Sequence, residues 1–101
     1  MNAVAAKQKH VRQNYKAQEV VERVEARLAP YQPADAALEV LPNYVHQEGQ
    51  WWYVVVPASQ GILSAADYNC RIEKAERDLY KMDALSVGIL PVVPDWMDTH
   101  K

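Results

Sequence analysis

The chain has 101 residues, of which 50% are apolar and 24% charged, a balance that excludes a disordered polyelectrolyte and is enough for one hydrophobic core. Its net charge of −2 argues against a general polyanion binder, and its single cysteine, Cys70, excludes an internal disulfide framework. With no secretory-type apolar leader and no apolar run of bilayer length, residues 1–101 are expected to form one soluble, cytoplasmic domain with no membrane attachment.

Charge is distributed unevenly from the start. Residues 1–16 contain Lys7, Lys9, Arg12, Lys16 and His10 and no acid, whereas residues 32–70 contain neither Lys nor Arg. Residues 1–15 therefore read as a basic arm, either flexible or in contact with a partner. The stretch AQEVVERVEARLAPY places Ala17, Val20, Val21, Val24, Leu28 and Tyr31 on one helical stripe, which predicts a helix from about residue 16, or earlier, to about residue 29. Pro30 and Pro33 end it, because proline lacks the backbone donor and disfavours helix in the residue before it. If that helix ran unbroken from the arm, Val11 and Tyr15 would lie opposite the stripe and be left for contact with another chain.

After a proline-bearing connection, LEVLPNYVHQ reads as a strand interrupted at Pro42, and WWYVVV as its hairpin partner across a turn at residues 47–50. Pro42 cannot donate to a ladder, so the first strand belongs at an edge. Alternation in the second strand puts Trp51, Tyr53 and Val55 on one face and Trp52, Val54 and Val56 on the other, so both faces require cover. Ser64 then has the pattern of a helix cap, with Asp67 in the first turn, and Tyr68, Ile72, Ala75, Leu79 and Met82 form the stripe of a helix over residues 64–84. SVGILPVVP is a last strand, parallel to the second across a crossover expected to be right-handed, and residues 95–101 are a polar tail carrying Trp96. The result is an α+β two-layer sandwich of order α-β-β-α-β, with a three-stranded mixed sheet, a β-hairpin and two amphipathic helices. Placing both helices on one face leaves the other for self-association.

The sequence contains little that marks chemistry. His10, His46 and His100 are far apart, no CxxC or HExxH spacing occurs, and the nearest metal-like set, Asp95, Asp98 and His100, is better read as a polar tail; no metal or cofactor is assigned. Ser59 and Ser64 flank Gly61 without forming a nucleophile elbow, and Cys70 has no activating base apart from Lys74, so no catalytic residue is assigned and an enzyme is the less favoured reading. The favoured function is a small interaction module that forms a homo-oligomer, a dimer, through Val11, Tyr15, Trp51, Trp52 or Tyr53. One alternative is a small-ligand pocket or active site near Tyr44, His46, Trp52 and Tyr53. Another, disfavoured by the acidic balance and the base-free hairpin, is nucleic-acid binding through Lys7, Lys9, Arg12 and Lys16.

Overall fold

A computed structural model describes residues 15–34, 36–58 and 63–97. Helix α1 spans Ala17–Leu28 and runs into a 3₁₀ turn at Ala29–Tyr31; strands β1 (Val45–Glu48) and β2 (Trp51–Val55) form the hairpin; helix α2 (Ala65–Asp83) leads to strand β3 (Ser86–Leu90), and a second 3₁₀ turn follows at Asp95–Met97. The protein is an α+β two-layer sandwich of order α-β-β-α-β, with sheet order β1-β2-β3, β1 antiparallel to β2 and β2 parallel to β3. No helix among the described residues is long and apolar enough to cross a membrane.

Both helices pack on one face of the sheet. Val20, Val24 and Leu28 of α1 and Tyr68, Ile72, Ala75 and Leu79 of α2 share a buried cluster with Trp52, Val54, Val56, Val87 and Ile89. Lys16, at the start of α1, has no side-chain acceptor to offer, so Glu19 reaches back and accepts the Lys16 backbone N–H at 2.9 Å. At α2 the expected cap is present: the Ser64 hydroxyl accepts the Asp67 N–H at 3.0 Å, and Asp67 in turn pairs with Arg71 one turn on. The hairpin closes through Gly49 at φ +62°, a left-handed conformation that glycine adopts without steric cost.

Tyr68 ties α2 to the end of the central strand. Its hydroxyl donates to the Val56 carbonyl at 2.6 Å, and burial, with a smaller contribution from Glu76, pushes the phenol up to about 12. Because the folded state favours the neutral phenol, this contribution is complete below the ordinary tyrosine range and is lost as pH rises through the folded value. The wild-type chain is expected to lose on the order of 2 kcal/mol between pH 10 and pH 12 from this group, measured by urea unfolding. Tyr68→Phe should flatten that window, and equal slopes in the two proteins would refute the assignment.

Three sequence expectations change. Helix α1 starts at Ala17 with Lys16 as its cap, as the stripe predicts, so the condition that left Tyr15 for contact with another chain is not met: Tyr15 is buried and donates to the Asp83 carbonyl at 2.8 Å. The stretch before Pro42 adds no strand of its own; Leu38 and Val40 are buried outside any helix or strand, and Leu41 donates to the Val55 carbonyl. On α2 the last stripe position falls to Asp83, which is buried, while Met82 is 63% exposed.

Asp83 is tolerated in that position because α1 supplies two guanidiniums. Arg27 donates from Nε and Nη2 at 2.9 and 3.0 Å, and Arg23 from Nη1 at 3.2 Å. The hydrogen bond to Asp83 also raises the Arg27 guanidinium above its ordinary range. A carboxylate at the negative end of a helix is unfavourable by itself, and this fork offsets the cost while joining the two helices.

Candidate interaction surface

Sheet register separates the aromatic residues. His46 and Glu48 lie across from Tyr53 and Trp51, and Ser86, Gly88 and Leu90 lie beside Trp51, Tyr53 and Val55, so these side chains share the face turned away from the helices. Trp52, across from Gln47 and beside Val87, is buried on the helix side at 7% exposure. Tyr53 can lie flat because its neighbour has no side chain: a Cβ on Gly88 would sit 3.0 Å from Tyr53 Cδ1 and Cε1. Gly88 is thus a bed for the tyrosine ring.

The C-terminal 3₁₀ turn folds over part of this face. The Trp96 ring meets Tyr53 edge-on at 5.8 Å and 81°, and His46 at 5.0 Å and 65°, while Trp51 stacks beside Tyr53 at 6.5 Å and 22°. Met97 is buried, as is Val55 on this face, yet Trp51 and Trp96 each remain 50% exposed. Part of the second face is therefore met by the chain's own tail, and an aromatic ridge remains in contact with solvent. Its charged members are Glu48 and, when protonated, His46, whose Nε2 is 3.8 Å from Glu48 Oε2.

β3 is the outermost strand of the sheet among the described residues, with Val87 and Ile89 buried. A groove of about 360 Å³ runs there, lined by Trp51 on one side, Glu73, Glu76, Arg77 and Tyr80 of α2 on the other, and Ser86–Gly88 along its floor. Leu90 accepts from Val56, so the even-numbered residues of β3 direct their backbone groups toward β2, and Val87 and Ile89 direct theirs outward. Glu76 Oε2 accepts the outward Ile89 N–H at 2.9 Å. Burial first, and the Glu73 charge last, push the Glu76 carboxyl above its ordinary range, although the Ile89 hydrogen bond acts the other way.

The sequence-selected residues are dispersed by this geometry. Trp51 and Tyr53 come together on the ridge, whereas Trp52 and Tyr15 are buried in the core. His46 and Trp52 are on opposite faces and do not wall a common pocket with Tyr44; the hairpin alternation separates them. Lys16 is exposed at the foot of α1, while Lys7, Lys9, Arg12 and Val11 lie outside the described residues, as do Ser59, Asp98 and His100. Cys70 is exposed, Ser64 serves as a cap, and no group of three or more His, Cys, Asp or Glu among the described residues is disposed to hold a metal. Sequence reading missed Trp96 as a member of the ridge and Glu76 as the cap on β3. Neither has a local pattern, since each is defined by a contact with a distant strand.

Comparison of the chain with protein-family models, with curated proteins and with solved structures finds no match in any of the three.

Proposed function

We propose that the chain is a small non-enzymatic binding module that self-associates, as a dimer, through the aromatic ridge of Trp51, Tyr53 and Trp96. The observation that supports this reading is the exposure of two tryptophans, each 50% open to solvent, on a face whose neighbouring Val55 and Met97 are already buried. Aromatic residues of this kind gain most when a partner removes them from water, and a two-fold axis would place the ridge of one copy on that of another. Nucleic-acid binding draws no support from the ridge: the residues paired with Trp51 and Tyr53 are Glu48, His46, Ser86 and Gly88, with no Lys or Arg for a phosphate.

Sedimentation equilibrium of the full chain tests the reading. A monomer–dimer equilibrium is expected in the micromolar range, shifted at least about tenfold toward monomer by Trp51→Ser. A wild-type chain that stays monomeric at millimolar concentration would remove the proposal, as would a dimer indifferent to Trp51→Ser.

A further inference from the structure

We propose that the outer edge of β3 accepts an extended, lysine- or arginine-bearing segment of a partner protein, by strand addition along the groove between Trp51 and α2. Three independent features of the groove point to this occupant. The first is backbone chemistry: Val87 and Ile89, whose side chains are buried in the core, direct their backbone groups away from β2, and the Val87 N–H and C=O, at the floor of the groove, have no hydrogen-bond partner among the described residues. An extended chain laid beside β3 satisfies these groups in the way a fourth strand would.

The second is shape. The groove brings Ser86–Gly88 of β3 together with Trp51 from the ridge and Tyr80, 67% exposed, from the helix, so alternate side chains of a strand added there meet one wall and then the other. The third is charge. Glu73 and Glu76 stand on the helix wall with Arg77 as the one cation in the lining, and Glu48 flanks Trp51 across the hairpin. A lysine or arginine directed at that wall meets two carboxylates and the face of Tyr80, and relieves the crowding of negative charge at Glu76. A second copy supplying its own β3 does not fit, because the strand SVGIL has no basic residue.

Glu76 serves as the gate. It accepts the Ile89 N–H at 2.9 Å, which guards the strand against indiscriminate pairing, and in the proposed complex it turns to the incoming cation. The surface is distinct from the self-associating ridge except at Trp51, and the inference does not depend on that reading.

The test is a titration of the isotope-labelled full chain with an eight-residue peptide alternating valine and lysine, followed by amide NMR, beside its valine–glutamate counterpart. The lysine peptide is expected to shift the amides of residues 86–89 and the glutamate peptide to leave them in place. Glu73→Lys, at an exposed helix position that leaves the fold intact, is expected to weaken binding about tenfold, and Tyr80→Ala about threefold. No shift at millimolar lysine peptide, shifts confined to the ridge, or equal affinity in Glu73→Lys would overturn the proposal. Sedimentation of the same samples reports self-association separately, so failure of one reading is distinguishable from failure of the other.

Discussion

Asp83→Ala is expected to destabilise the fold by about 3 kcal/mol, because it removes the buried acceptor of three charge-assisted hydrogen bonds and leaves Arg23 and Arg27 facing each other at the end of α2. Both guanidiniums retain a path to water, with side chains 46% and 29% exposed, which keeps the loss below that of stranding a fully buried cation. Asp83→Asn should recover part of the loss by keeping an acceptor oxygen. A double-mutant cycle between Asp83→Ala and Arg27→Ala should give a coupling of about 1–2 kcal/mol by urea unfolding. Additivity of the two changes would show that the fork does not join the helices energetically.

Trp52 and Trp51 should separate by a wide margin although they are adjacent. Trp52→Ala opens a cavity against Val54, Val87 and the helices and is expected to cost about 3–5 kcal/mol. Trp51→Ala removes a half-exposed ring from the ridge and is expected to cost less than about 1 kcal/mol in the monomer while weakening association. Circular dichroism thermal unfolding at low concentration checks the first difference. If the two variants were equally stable, the assignment of the two sheet faces would be wrong.

The parts of the fold that were legible in the sequence are those written in short-range periodicity. The Val20/Val24/Leu28 and Tyr68/Ile72/Ala75/Leu79 stripes are the buried helix faces, Ser64 is the cap, and the alternation of residues 51–56 sorts the strand onto two faces. The end of the second stripe was misread because Met82 and Asp83 are adjacent and hydrophobicity favours the wrong one; what buries Asp83 is a pair of arginines from another helix. Tyr15 was left for a partner only on the condition of a helix running unbroken from the arm, and α1 starts two residues downstream of the tyrosine. Only half of the candidate surface was visible in advance. Trp51 and Tyr53 stand in the strand pattern, but Trp96, Gly88 and Glu76 acquire their roles through tertiary contacts that no local spacing encodes.

The two edges of β2 also have different histories. Its pairing with β1 crosses a two-residue turn and can form as soon as the hairpin exists, whereas its pairing with β3 must wait for the whole of α2. In synthesis β1 and β2 precede β3, so the backbone groups of Trp52 and Val54 on the far side of the hairpin have no strand to pair with until α2 has been made. A two-stranded ribbon is marginal in water by itself, so the stability of the hairpin is tied to the arrival of β3, whose Leu90 accepts the Val56 N–H.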